Sequence, residues 1–149
     1  MVAWYQGDDL KCSMCNSCID SHKHLFFECV FSAKVWKEVK CKGRFIGNCA
    51  YLDNVVSFIA DNGNKSNIWS IVNRLIVAAS VYTLWSERNK RSFQNIRRTE
   101  EEIIALINKY MEDVLQTLSV KRSNAMMMVA NRWNLVWEKG KLVPALLQQ

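Results

Sequence analysis

Cys12-Ser13-Met14-Cys15-Asn16-Ser17-Cys18-Ile19-Asp20-Ser21-His22-Lys23-His24-Leu25-Phe26-Phe27-Glu28-Cys29 holds four of the six cysteines and both histidines of the chain. Thiolate and imidazole together are the usual donors of a tetrahedral zinc ion. A Cys-x2-Cys pair lets one tight turn aim two sulfurs at a point, and a His-x4-Cys pair downstream closes the site. The preferred ligand set is Cys12, Cys15, His24 and Cys29. Cys18 and His22 are the spare donors; Cys18 replaces Cys15 only by distorting the turn. In an extended segment His22 and His24 point to opposite sides, so only one of them reaches the ion. Three thiolates around one divalent ion leave the site near −1 and take the formal net charge from +6 to about +5. With four protein ligands the zinc is structural, because hydrolytic chemistry needs an open coordination position.

The block His24-Leu25-Phe26-Phe27-x-Cys29, preceded by Cys12-x2-Cys15 and Asp20-Ser21 and followed by Val35-Trp36, resembles the zinc-binding domain at the end of plant LINE-type (non-LTR) retrotransposon reverse transcriptases. A second match lies about 55 residues downstream. Trp85-Ser86-Glu87-Arg88-Asn89-Lys90-Arg91-Ser92-Phe93 is similar to the Trp-x-Glu-Arg-Asn-x-Arg-x-Phe segment that often follows in these elements. The resemblance covers roughly residues 7–96. Of the two histidines it implies His24 as the ligand. It also implies a module that holds RNA or DNA for a polymerase. The family's apolar, tryptophan-rich region before the first cysteine has no counterpart in Met1–Lys11, so an N-terminally shortened domain is expected. Tyr5-Gln6-Gly7-Asp8-Asp9 has one residue too many for a polymerase Tyr-x-Asp-Asp motif and reads as a polar turn.

The rest of the chain points to helices. Half of its 149 residues are apolar, and one proline and five glycines leave long uninterrupted segments. The expected fold is mainly α, a small Cys-Cys-His-Cys zinc loop followed by a bundle of long helices. Two parts are expected, 1–62 holding the zinc domain and 66–149 holding a helical region and tail. The turn-rich Asp61–Asn67 stretch marks the boundary. Ser32 is a candidate N-cap for a helix over 33–39, with Val35, Trp36 and Val39 on its buried face. Cys41 and Cys49 are expected to be buried free thiols. Residues 51–60 read as a helix. From Ile68 to about Phe93, Ile68, Val72, Leu75, Ile76, Ala79, Tyr82 and Trp85 keep a three-four spacing, the core face of a long helix. Thr99-Glu-Glu-Glu102 is a capping box for a helix whose stripe runs Ile103, Ile107, Tyr110, Met111, Val114, Leu118. That stripe suits core packing or the seam of a homo-oligomer. A last helix is expected over 125–137.

Charge suggests the partner. The basic excess suits a polyanion, and it gathers at Lys37, Lys40, Lys42 and Arg44, and again at Arg88, Lys90, Arg91, Arg97 and Arg98. These nine are the candidate RNA or DNA contacts. No Ser-His-Asp set, phosphate-cradling glycine loop or catalytic carboxylate pair is present, so no enzyme activity is expected. Residues 1–6 lack a signal-peptide pattern, and the uncharged run Leu75–Trp85 is shorter than the ~20 residues that span a bilayer. Cysteines at metal spacing rather than in disulfides fit an intracellular chain. The alternative to nucleic-acid binding is a protein-interaction module or a non-functional helical remnant of a retrotransposon reading frame.

Overall fold

The computed structural model describes residues 11–62 and 67–145. The Tyr5–Asp9 turn and part of the expected 62–66 boundary lie outside them. The chain is mainly α: helices α1 (Val30–Lys40), α2 (Leu52–Asn62), α3 (Ile68–Phe93), α4 (Glu100–Thr117) and α5 (Asn124–Arg132) precede a hairpin of β1 (Leu135–Glu138) and β2 (Lys141–Pro144).

Helix α3 runs through the centre, in contact with α1, α2, α4 and α5. Asn67 caps it, its side chain accepting from the Ser70 amide at 2.9 Å. Trp69, Val72, Ile76, Ala79 and Leu84 are buried, but Tyr82 is 66% and Trp85 49% exposed. The expected core face therefore turns outward in its second half. Among the described residues α3 is the one helix long and apolar enough to cross a membrane, by length and composition only. The sequence reading stopped at Arg74, a single charge that the helix carries within its apolar length. Packing on several sides accounts for the apolar character of its first half, while the second half leaves an apolar face exposed around Tyr82 and Trp85.

Helix α4 starts at the expected capping box. Thr99 Oγ1 accepts from the Glu102 amide at 3.2 Å, and Glu102 Oε2 accepts from the Thr99 amide at 2.8 Å. Its buried line is Ile103, Ile107, Met111 and Leu115, while Tyr110 is exposed. Steps of four follow the ridge that interlocks with a crossing helix, here α1 and α3. These four side chains are spent inside the chain's own core.

Helix α1 buries Phe31, Val35, Trp36 and Val39 as expected, but it begins earlier. Cys29, in an extended conformation, occupies the N-cap position, and the Ser32 hydroxyl donates instead to the Leu25 carbonyl. Trp36 Nε1 donates to the Cys49 carbonyl at 2.6 Å, tying α1 to the loop that follows. Cys49 is buried, whereas Cys41 is exposed and donates to the Lys37 carbonyl.

The expected last helix ends at Arg132. Trp133 and Asn134 form a turn, and a two-stranded antiparallel hairpin follows with Val136 opposite Val143 and Trp137 opposite Leu142. Lys139 and Gly140 at its tip both have positive φ, 49° and 87°. A two-residue loop with two left-handed residues matches strand twist, and glycine favours it. Leu135 and Leu142 reach the common core from the hairpin. Residues from both expected parts contribute to that one core cluster.

Candidate metal centre

The first two donors sit on a small knuckle. Lys11 and Ile19 form an isolated antiparallel bridge, and the Cys12 amide donates to the Cys18 carbonyl at 2.8 Å. Between them the chain turns back through Asn16, whose φ of 56° is left-handed, and the Asn16 amide closes the turn onto the Cys12 carbonyl at 2.7 Å. Asparagine tolerates this conformation better than most residues.

The other two donors sit on a turn of π-helix, His24–Glu28. Its closing bond runs from the Cys29 amide to the His24 carbonyl at 2.7 Å, five residues apart. In an α-helix, residues five apart are separated by about 140° around the axis and point away from each other. Widening by one residue brings imidazole and thiol to one side, and such widenings recur at functional sites. The segment is helical rather than extended, so the expected alternation of His22 and His24 does not apply. His24 turns inward and is buried, while His22 lies outside, stacked near Phe26. The Ser21 hydroxyl accepts from the His24 amide at 3.1 Å and fixes the start of the turn. Leu25 and Phe27 are buried, and Phe27 meets Trp36 edge-on at 5.3 Å.

The four donor atoms of Cys12, Cys15, His24 and Cys29 lie within 4.8 Å of one another. Cys12 Sγ and Cys29 Sγ are 3.9 Å apart, and Cys15 Sγ is 3.3 Å from His24 Nε2. A tetrahedral ion with metal–sulfur bonds of about 2.3 Å and metal–nitrogen bonds of about 2.0 Å separates sulfurs by about 3.8 Å and sulfur from nitrogen by about 3.5 Å. The donor set therefore fits a metal ion. Cys18 is exposed and stands outside the cluster.

Electrostatics ready only part of the donor set: Cys12 and Cys15 are drawn toward the ligating thiolate, whereas Cys29 and His24 are held toward protonated forms that a metal ion would have to displace. The neighbouring Cys29 thiol is the main influence on Cys12, drawing it down to about 5 against the effect of burial; the Cys15 and Met14 amides assist. Cys29 keeps the proton and is pushed up, first by Cys12 and then by burial. The Phe31 and Ser32 amides favour its thiolate, although neither closes a full cap hydrogen bond. Burial opposes ionisation of Cys15, but the Ser17 and Cys18 amides and His24 outweigh it and hold the thiol below its usual range. Burial also disfavours a charged His24, and the Cys15 and Cys12 sulfurs reverse that to raise it.

The second motif of the sequence meets the first in space. Asp20 pairs with Arg88, whose Nε donates to Asp20 Oδ2 at 2.8 Å. Ser13 Oγ donates to the Arg88 carbonyl at 3.5 Å. Arg91 lies on the adjacent turn with its side chain only 7% exposed. Its nitrogens donate to Glu87 Oε1 at 2.8 Å, to the Met14 carbonyl between the first two ligands at 3.2 Å, and to the Arg98 carbonyl at 2.7 Å. Its guanidinium also lies 4.5 Å from the Phe31 ring centroid. Glu87, fully buried, accepts in addition from the Arg98 amide at 2.8 Å. A guanidinium fork serves several acceptors at fixed angles, which a lysine does not.

The nine basic candidates thus fall into two groups. Arg88 and Arg91 are bound into the protein, and with Lys90, Arg97 and Arg98 they form the end of α3 and the loop behind it. Lys37, Lys40, Lys42 and Arg44 lie along the end of α1 and the loop after it. Arg132, absent from the expected set, joins this second group by donating to the Lys42 and Gly43 carbonyls at 3.0 and 2.8 Å. It stands alone in sequence, 88 residues from Arg44, so only the fold brings it there. The Glu87–Arg91 clamp was visible as an acid and a base four residues apart, the spacing of a helix-surface pair; its burial was not. The exposed side of α3 carries an open apolar groove of about 540 Å³ between Phe26, Ile59, Val81, Tyr82 and Trp85. Compared with known proteins, the chain matches no family model, no curated protein and no solved structure.

Proposed function

We propose that the chain is a structural zinc module that holds nucleic acid, of the kind that ends plant LINE-type reverse transcriptases, and that it has no catalytic activity of its own. The observation that carries this reading is the convergence of three sulfurs and one imidazole nitrogen at tetrahedral spacing. Thiolate-rich tetrahedral sites select zinc over the oxygen-seeking ions. With all four positions taken by Cys12, Cys15, His24 and Cys29, the ion has no open place for a reacting water. Six unpaired cysteines suit a reducing, intracellular setting.

The support for nucleic acid is the net charge of +6 together with the Lys37–Arg44 run. A protein-interaction role is the second reading, favoured by the uncovered apolar face of α3 around Tyr82 and Trp85. Native mass spectrometry and RNA titration of the same preparation test the two parts. The proposal expects one zinc per chain, and RNA binding that weakens steeply with salt. Less than one zinc per chain in a preparation made with zinc present overturns the zinc reading. Absence of RNA and DNA binding at low salt overturns the nucleic-acid reading and leaves the second one standing.

A further inference from the structure

Three cations meet on two indoles where the loop after α1 crosses the start of α3 and the end of α5. The guanidinium carbons of Arg44 and Arg132 lie 5.0 and 4.6 Å from the Trp69 ring centroid, and Lys42 Nζ lies 5.6 Å from that of Trp133. The loop between them is pinned. Asn73 brackets Arg44, its Oδ1 accepting from the Arg44 amide at 2.9 Å and its Nδ2 donating to the Arg44 carbonyl at 3.0 Å. Gly43 packs so closely that an added Cβ would sit 2.6 Å from Asn73 Oδ1 and 2.7 Å from the Phe45 ring. The indole faces supply part of what a counter-charge would. No carboxylate among the described residues forms an ion pair with Lys42, Arg44 or Arg132. Burial lowers the Lys42 ammonium, with Glu112 the opposing charge it feels.

Within the Glu87–Arg98 segment, Arg88 and Arg91 are arranged in the opposite way. Asp20 and Glu87 neutralise Arg88 and Arg91, and backbone carbonyls take further donors of Arg91. Clustered like charges repel, and a partner carrying regularly spaced negative charge removes that cost; the phosphodiester backbone is such a partner. Arg132 uses Nη1 on the Lys42 and Gly43 carbonyls, and a guanidinium has further donors with which to reach phosphate oxygens.

We infer that Lys42, Arg44 and Arg132 form the point at which a nucleic-acid backbone is held, and that Arg88 and Arg91, neutralised by Asp20 and Glu87, brace the metal loop instead. This rests on the nucleic-acid reading above. The test is fluorescence anisotropy of labelled oligouridylate and oligothymidylate across a salt series. It uses the metal-loaded chain, Lys42→Gln/Arg44→Gln, and Lys90→Gln/Arg97→Gln, each checked for folding by circular dichroism. Each single-strand phosphate contact contributes about 0.7 to the salt slope. The first variant is expected to lose about 1.4 in slope and roughly 25-fold in affinity at about 0.1 M salt. Lys90→Gln/Arg97→Gln is expected to bind as the parent does. A parent that binds while Lys42→Gln/Arg44→Gln keeps its affinity and slope overturns the inference and spares the reading beneath it. A parent that binds neither strand overturns both. Lysine acylation gives a readout on the unmutated chain: oligouridylate should shield Lys42 and leave Lys90 reactive, and the reverse pattern sinks the assignment.

Discussion

Fully buried Glu87 and Arg91, one helical turn apart, form an ion pair whose arginine, its side chain 7% exposed, reaches across to the Met14 carbonyl inside the metal loop. Breaking a buried pair by removing one partner leaves an uncompensated charge and costs about 3–5 kcal/mol. Glu87→Ala is therefore expected to lower the unfolding free energy by about that amount in denaturant titration. Arg91→Lys, which keeps the charge but not the fork, should lose less while still weakening metal retention against a chelator. Equal metal retention by Arg91→Lys and the parent would remove the brace from the account.

The ligand assignment separates six donors into four and two. Cys12→Ser, Cys15→Ser, His24→Ala and Cys29→Ser should each lower zinc content and abolish the tetrahedral cobalt spectrum of the substituted protein. Cys18→Ser and His22→Ala should leave both unchanged, since the two residues lie on the outer side of the loop. Loss of the cobalt bands in Cys18→Ser would reassign the site.

Chelation should act locally first. The metal loop is held to α3 by the Arg88 and Arg91 contacts, while α4 carries none of the donors and buries its own line of Ile103, Ile107, Met111 and Leu115. Hydrogen exchange is expected to quicken over residues 11–40 on chelator addition and to stay slow over 100–117. Uniform acceleration would mean that the ion supports the whole molecule.

Two backbone positions carry measurable weight. Gly43→Ala places its methyl against Asn73 and the Phe45 ring, and overpacking of this kind costs about 1–3 kcal/mol. Gly140→Val meets no neighbour but must hold a φ of 87°, at a cost of about 1–2 kcal/mol. Thermal unfolding checks both. A Gly43→Ala protein as stable as the parent would show that the loop after α1 is looser than its contacts imply.

A buried side-chain test belongs to α4. Leu115→Ala should cost about 2–5 kcal/mol, because Leu115 is wholly buried at the end of the line that packs on α1 and α3. Tyr110→Ala, on the exposed side, should cost far less. Comparable losses in denaturant midpoint for the two would place the wrong face inward.

The residue types at the metal centre were legible because few side chains bind soft ions, and four of the six cysteines and both histidines are crowded into one stretch. The starts of α3 and α4 were legible from the turn-rich Asp61–Asn67 stretch and from the capping box of Thr99 with Glu102; the Asn67 cap itself was not read. What the letters hid depends on neighbours. Residues 125–137 are apolar enough for a helix, and only the Lys139–Gly140 tip, read with the valines on either side, favours a hairpin. Tyr82 and Trp85 continue the periodicity of Val72 and Ile76, but no element covers the second half of that face. The sense of Arg91 as a brace depends on Met14, 77 residues away.

The π-turn limits how this chain can vary. Cys29 is both the last donor and the residue from which α1 departs, so an insertion or deletion between His24 and Cys29 would rotate the imidazole off the ion or swing the α1 axis with Trp36 on it. The span from Cys15 to His24 is more exposed, but Asn16, Ile19, Asp20 and Ser21 in it set the knuckle, the Arg88 pair and the start of the π-turn. Descendants that preserve the centre should therefore conserve the four-residue interval that ends at Cys29.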